Sequence, residues 1–300
     1  TGYTCADLFG QEILIRKAEE GIKEIKAFSR GRKVTIVVGV PVRVRGRLYN
    51  CAAVIQNGSL RGLVPKIHLP SYNEFYESRW FASGADFISR DKRSEGLLRD
   101  DGKNCHFESG AESILYAGHK VTISPNILFS LAHSTFAIEI CEDLWTPAPP
   151  SSYHALAGAD IIVNLSASNE VLMKHQYRKS LIGQQSARTV SAYIYSSCGF
   201  GESTQDLVFA GSSMIYENGS LMAENERFTL GNSMITADID VNKLHTLRQQ
   251  KSTYHLISPV GERDAELVKS YLRIPAGSGA DTDFNARLLR HIEAHPFVPG

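Results

Sequence analysis

The chain has 300 residues, 43% hydrophobic and 21% charged, an ordinary globular composition that accommodates one large α/β domain or two smaller ones. Basic and acidic residues balance at 32 each, so no net field draws the chain to nucleic acid or to an anionic membrane. No apolar run approaches the roughly 20 residues that span a bilayer, and the start lacks a basic segment followed by an apolar one.

The first residues, Thr1-Gly2-Tyr3-Thr4, read as a turn, and Ala6 to Phe28 as an amphipathic helix with Leu8, Ile13, Ala18, Ile22 and Ile25 broadly on one face. Val34 to Val44 is β-branched and apolar, a buried strand. Ala52 to Gln56, the pair Asn57-Gly58 and Leu60 to Val64 form a hairpin, because Asn-Gly suits a type I′ turn. Ser212 to Glu217, Asn218-Gly219 and Leu221 to Glu224 repeat that plan. Between the hairpins, Thr135 to Ile140 and Asp160 to Leu165 are strand-like, and a helix over Met173 to Val190 feeds a strand over Ala192 to Ser197. Residues 240 to 250 read as helix. Residues 1–274 are expected to form the domain, with 275–300 a Gly-rich linker and a helix over Phe284 to Ala294. Alternating strands and helices with added hairpins predict a layered α/β sandwich. Neither GxGxxG nor GxxxxGK occurs, so a dinucleotide fingerprint and a P-loop are both missing from the sequence.

Five cysteines at positions 5, 51, 105, 141 and 198 are scattered, with no CxxC or metal-knuckle spacing, which predicts free thiols in a reducing cytoplasm. Cys51 and Cys198 adjoin strand-like runs and read as small buried hydrophobes. Cys141 is the informative one: Phe136 to Ile140 delivers it to the carboxyl end of a strand, ahead of a Pro-rich loop. Groups at such strand ends meet backbone N–H donors that can face an oxyanion. Glu139, Glu142 and Asp143 stand against a nucleophilic role, since neighbouring negative charge disfavours a thiolate. Cys141 is therefore either a nucleophile or a structural thiol. Lys66, between Pro65 and apolar residues, is either a desolvated cation or a snorkelling surface side chain. Glu74 and Glu77 can each be a general base or a surface charge. His68, His154 and His175 form no close pair and no HExxH, so no metal is expected.

Taken together with their contexts, Pro65-Lys66 through Tyr72, Glu74 and Phe81, and Glu139-Ile-Cys141-Glu-Asp-Leu-Trp145, closely resemble the lysine and cysteine motifs of the nitrilase superfamily of carbon-nitrogen hydrolases, in its branch fused to NAD synthetases. Thr1 to Phe9, Asn164-Leu-Ser-Ala-Ser-Asn169, Gln185-Ser-Ala-Arg188 and Gly199 to Asp206 extend the likeness over nearly the whole chain. The resemblance implies an αββα sandwich with mixed sheets and a Glu-Lys-Cys triad that removes the side-chain amide of glutamine. Cys141 would be the nucleophile. Lys66, with the backbone N–H of Glu142, would stabilise the oxyanion, and Glu74 would be the supporting glutamate that positions the lysine. Tyr72 and Glu142 would line the glutamine pocket, Ser166 and Ser168 would lie in the loop that helps hold the substrate, and Arg178 would be a looser candidate near the pocket or the domain contact.

In the family the general-base glutamate precedes the Thr-Gly-Tyr segment, so the sequence as numbered is expected to lack it, with a first strand and helix, and to be impaired as a glutaminase. His295 to Pro299 resembles the connector into a synthetase domain. ATP and Mg are expected in that domain only, and no cofactor or metal here. Expected partners are glutamine, the synthetase domain and further copies of the chain in a homo-oligomer, with no nucleic acid and no membrane. The stretch from about Ala82 to Lys120 fits the pattern least and is expected to be a surface excursion, its mixed-sign run Ser89 to Glu95 a solvated loop. A stand-alone amidase using the same lysine and cysteine, and a non-catalytic oligomer scaffold, are the rival readings.

Overall fold

The computed structural model describes residues 3–88, 111–202, 207–255, 267–277, 288–290 and 292. Helix α1 (Glu12–Ser29) is followed by strands β1 (Thr35–Val44), β2 (Arg47–Gln56) and β3 (Ser59–Pro65), and later by β4 (Glu112–Tyr116) and β5 (His119–Ile123). These five make one sheet in the order β1-β2-β3-β5-β4. The chain continues through β6 (Ile127–Ser130), β7 (Thr135–Ile140), α2 (Pro150–Leu156), β8 (Ile161–Ser166), α3 (Lys174–Thr189), β9 (Ala192–Ser197), β10 (Ser213–Glu217) and β11 (Ser220–Glu224). Helices α4 (Val241–Gln250) and α5 (Ser252–His255) and strand β12 (Leu272–Pro275) complete the described elements. The second sheet has seven strands in the order β11-β10-β9-β8-β7-β6-β12, and its centre, β7-β8-β9, is parallel.

The sheets stack with helices outside. Strand β2 is apolar on both faces for that reason: Cys51, Ala53 and Ile55 pack with Ile22 of α1, whereas Ala52 and Val54 pack with Phe129, Phe136 and Ile138 of the second sheet. The far face of the second sheet, with Ala137, Ile162, Tyr193 and Met214, receives Ile182 of α3. The result is a four-layer αββα sandwich, the architecture expected.

Both Asn-Gly hairpins form. Asn57 and Gly58 have φ of +46° and +75°, and Asn218 and Gly219 +46° and +85°, the paired left-handed residues of a type I′ turn. Two further hairpins use the same geometry with a different first residue: Arg45-Gly46 (+49°, +78°) joins β1 to β2, and Ala117-Gly118 (+49°, +75°) joins β4 to β5.

Three expectations are corrected. The first helix is interrupted, with a 3-10 turn over Ala6–Gly10 and an extended Gln11 (ψ 127°) before α1. The described parts of 82–120 are no surface excursion: Phe87 is buried, and β4 and β5 extend the first sheet with Tyr116 inside. Pro275, expected to open the linker, ends β12, and Ala276 behind it is fully buried. The run Ser89 to Glu95, Cys105, Ser203 to Asp206 and the connector His295 to Pro299 lie outside the described residues, as does most of Phe284 to Ala294.

Candidate active site

Strand β7 ends at Ile140, and the next residue, Cys141, opens a 3-10 turn that runs to Trp145. Cys141 has φ +49°. A side chain other than glycine in this region costs about 1–3 kcal/mol and persists only where its surroundings over-determine it. Two acceptors do so here. The Cys141 N–H donates to Asn164 Oδ1 at 3.1 Å, and the Ile140 N–H donates to Asp143 Oδ2 at 2.9 Å. Asn164 is itself oriented from β8: its Nδ2 donates to the Tyr193 hydroxyl at 3.0 Å, and the Ser166 hydroxyl donates to its Oδ1 at 2.9 Å. The thiol-bearing residue is 7% exposed and lies on the floor of a pocket.

Lys66 leaves the end of β3 and is only 1% exposed. Its N–H donates to the Asn50 carbonyl at 2.8 Å, and its carbonyl accepts the Gly84 N–H at 2.7 Å. A Cβ on Gly84 would sit 2.7 Å from the Pro65 carbonyl oxygen, so the loop closes over the lysine only with glycine there. The ammonium pairs with Glu77, whose other oxygen accepts from Asn50 Nδ2 at 2.8 Å. Burial alone would drive this ammonium toward neutrality. The negative charge of Glu77, Cys141 and Asp143 more than offsets that, holding the lysine pKa above its ordinary value.

The acidic neighbours of Cys141 are less adverse than the sequence implied. The Glu139 carboxylate accepts the Tyr193 hydroxyl and the Ser151 N–H (2.8 Å), and burial raises its pKa. Burial pushes Asp143 up to about 7, against the pull of its two backbone N–H partners and Lys66. Burial likewise raises Glu142, which accepts the Tyr72 hydroxyl at 2.8 Å.

The pocket has a volume of about 410 Å³. Cys141, Glu142, Tyr72, Glu74, Ser168 and Lys174 supply its polar lining, with Tyr3, Phe75, Trp145 and Tyr177 among its aromatic walls. Tyr3 stacks on Phe209 at 6.4 Å and tilts against Phe75 at 5.6 Å. Lys174 Nζ lies 5.2 Å from the Trp145 ring centre and 5.5 Å from that of Phe75, and it donates to Asn169 Oδ1. Asn169 Nδ2 donates in turn to Glu74. Burial and Arg178 lower the Lys174 pKa, while Cys141, Glu74 and Glu142 support its charge.

Of the residues expected at the site, Cys141, Tyr72, Glu74, Glu142 and Ser168 line one pocket. Lys66 is not among the lining residues but is electrostatically coupled to Cys141. Three differ in role. Glu74 does not hold the lysine; Glu77 does. Ser166 turns away to Asn164. Arg178 is fully buried below the pocket, donating to Glu170, to the Asn169 carbonyl at 3.0 Å and to Ser168 Oγ at 3.4 Å, so it shapes the 168–170 loop. Sequence reasoning missed Lys174, one lysine among many at the start of a helix. It left Glu77 undecided because residues 71–80 have no period to orient them. The histidines do other work: His68 lends its backbone N–H to Asp143, and His154 bridges the Tyr271 hydroxyl (2.7 Å) and the Ile138 carbonyl (3.0 Å). Among the described residues no group of three or more His, Cys, Asp or Glu side chains could hold a metal, and no helix is long and apolar enough to cross a membrane.

Comparison with known proteins matches residues 4–249 to the carbon-nitrogen hydrolase family model. A glutamine-dependent NAD(+) synthetase of Mycobacterium bovis is 36% identical over 308 residues, covering 100% of this chain and 40% of its own length. The chain thus spans about 40% of that curated relative. Among solved structures, a glutamine-dependent NAD(+) synthetase from Cytophaga hutchinsonii superposes with a TM-score of 0.62 at 27% identity, covering 77% of this chain and 34% of that one. A carbon-nitrogen hydrolase from Helicobacter pylori gives a TM-score of 0.62 at 19% identity, covering 91% and 84%, and shares the fold.

Proposed function

The chain belongs to the carbon-nitrogen hydrolase family, and from that premise we propose that its pocket hydrolyses the side-chain amide of glutamine through a thioester on Cys141. The observation that carries the reading is the strained Cys141 elbow on the pocket floor, coupled to a buried Lys66–Glu77 pair. A thiolate is favoured there by the lysine charge, whose field is strong where water is excluded. Its sulfur attacks the amide carbon, and Lys66 faces the oxygen on which negative charge develops. Collapse expels the nitrogen as ammonia, carrying the proton that the thiol gave up, and leaves a γ-glutamyl thioester. Water then attacks the thioester carbon, releasing glutamate and restoring the thiol. Glutamine and water become glutamate and ammonia, with no redox change.

The pocket rim fits the other end of glutamine. Lys174 offers a cation to the α-carboxylate, while Glu142 and Glu74 offer carboxylates to the α-ammonium. Tyr72, bound to Glu142, and Ser168 supply neutral polar contacts. The relatives are named glutamine-dependent NAD(+) synthetases, which supports passing the ammonia to an NAD-forming reaction; in the same reading that reaction lies in a separate domain, where ATP and Mg would be used. A homo-oligomer belongs to the same reading, and light scattering checks it. The pocket assignment is tested with 6-diazo-5-oxo-L-norleucine, a glutamine analogue that alkylates nucleophilic cysteines. Peptide mass mapping should find the adduct on Cys141, with free glutamine protecting it. Adducts on Cys5 or Cys198 alone, or no glutamine protection, would contradict the assignment.

A further inference from the structure

The nucleophile and its cation come from different sheets. Cys141 follows β7 of the seven-stranded sheet, and Lys66 follows β3 of the five-stranded one. Val64 of β3 and Ile138 and Ile140 of β7 share one apolar cluster between the sheets, but apolar contact is non-directional. A tenfold loss of rate needs only a small slip between two reacting groups, and a displacement of about 1 Å can cost about 10²-fold. Something directional must fix the offset.

We propose that Asp143 is a positioning residue that sets the register between the Cys141 elbow and the Lys66 strand end, one carboxylate oxygen holding each. Its Oδ2 accepts the N–H of Ile140, the residue before the nucleophile, at 2.9 Å. Its Oδ1 accepts the N–H of His68, two residues after the lysine, at 2.8 Å. The side chain is 2% exposed, so water does not compete for either bond. Above about pH 7, where it is ionised, the Asp143 carboxylate accepts at both oxygens and donates at neither. Asparagine, the same shape, would turn an N–H₂ toward one of the two backbone N–H groups and lose that bond. Lys66 and Glu139 are the charged groups that act on the carboxylate, the lysine favouring its ionised form and Glu139 opposing it. The His68 ring belongs to a residue that contributes only its backbone to this contact.

The proposal rests on Cys141 as the nucleophile, but its test does not need glutamine as the substrate. The rate of Cys141 alkylation by iodoacetamide, mapped by peptide mass spectrometry, is measured against pH for the protein, for K66M and for D143N. K66M removes the charge that favours the thiolate, so its profile moves to higher pH. D143N also removes a negative charge, which by itself would move the profile to lower pH; loss of the register moves it the other way, to higher pH, and slows alkylation at pH 8 by about tenfold, the effect of one lost charge-assisted hydrogen bond. Glutamine turnover should fall in kcat by on the order of 10²-fold, with KM within about twofold, because the pocket rim is untouched. If D143N fails to fold, D143S, smaller and unable to bridge, takes its place in the same comparison. A D143N profile that superimposes on the parent protein's would overturn the proposal, as would a change in KM without one in kcat. If alkylation shifts as expected but no form turns glutamine over, even when extended upstream through the glutamate that the resemblance expects, the register role stands and the substrate assignment falls.

Discussion

Replacing Glu77 by glutamine should disable the site while leaving its pocket intact. The pair it belongs to is almost wholly inaccessible, with side-chain exposures of 1% for Lys66 and 4% for Glu77. Glu77 is the largest influence keeping the lysine charged against its burial. E77Q keeps shape and an acceptor for Asn50 but removes the counter-charge. Breaking a buried pair from one side costs about 3–5 kcal/mol, because the remaining charge is left uncompensated. At about 2–4 °C per kcal/mol for a domain of 150–250 residues, the melting temperature should fall by roughly 10 °C. Lys66 can relieve part of that cost by losing its proton, and it then no longer stabilises an oxyanion. Loss of one such contact lowers kcat by about 10²–10³-fold. E74Q is the matched control: it touches Asn169 at the pocket wall and should raise KM without a comparable loss of kcat. Steady-state ammonia release and differential scanning calorimetry on both variants decide the matter. An E77Q protein with parental kcat, beside an E74Q protein without activity, would refute the assignment of Glu77 as the lysine's partner.

Lys174→Met should raise KM for glutamine by about tenfold or more through loss of one charge-assisted contact, and should leave turnover of a simple amide without an α-carboxylate unchanged; equal effects on both amides would contradict its role. Asp143 makes stability depend on pH with a definite sign. Its folded pKa is raised from 3.8 to about 7, so its favourable contribution is complete below about 4 and is lost as pH rises through about 7. At 1.36 kcal/mol per unit the loss is at most about 4 kcal/mol, and urea titrations of the protein and D143N should converge or cross over that range; a constant difference would disprove it. Gly84→Ala places a methyl against the Pro65 and Lys66 carbonyl oxygens. It should cost about 1–3 kcal/mol by overpacking and should lower kcat by moving the lysine, whereas an unchanged melting temperature and kcat would show that the loop gives way freely.

Much of the sandwich was legible because its strands are short apolar runs punctuated by tight turns. Asn57-Gly58 and Asn218-Gly219 marked two hairpins, while the equivalent Arg45-Gly46 and Ala117-Gly118 did not, since only their backbone, not their first side chain, advertises a left-handed turn. The buried pairing of β4 and β5 was hidden by polar residues such as His119 and Lys120. Cys141 and Lys66 stood out through their motifs, but their energetic setting did not. Which of Glu74 and Glu77 meets the lysine depends on a segment without regular structure, and three residues of spacing decide nothing there. Arg178 was expected near the pocket or a domain contact from the resemblance alone, which carries no information on its burial. Glu170, two backbone-adjacent acceptors and the 168–170 loop bury it completely. The adverse charge around Cys141 was visible, whereas its remedy, burial that weakens the acids and a buried, paired lysine coupled to the thiol, is a property of the folded arrangement.

Attack of Cys141 on glutamine is what the proposed reaction stands on. Ammonia release from glutamine should be measured for the chain as numbered, for a form extended upstream through the glutamate that the resemblance expects, and for C141A in both. Glutamine-dependent ammonia is expected from the extended form and should disappear in C141A. Ammonia release that survives C141A would contradict that attack, because no thioester could then lie on the path.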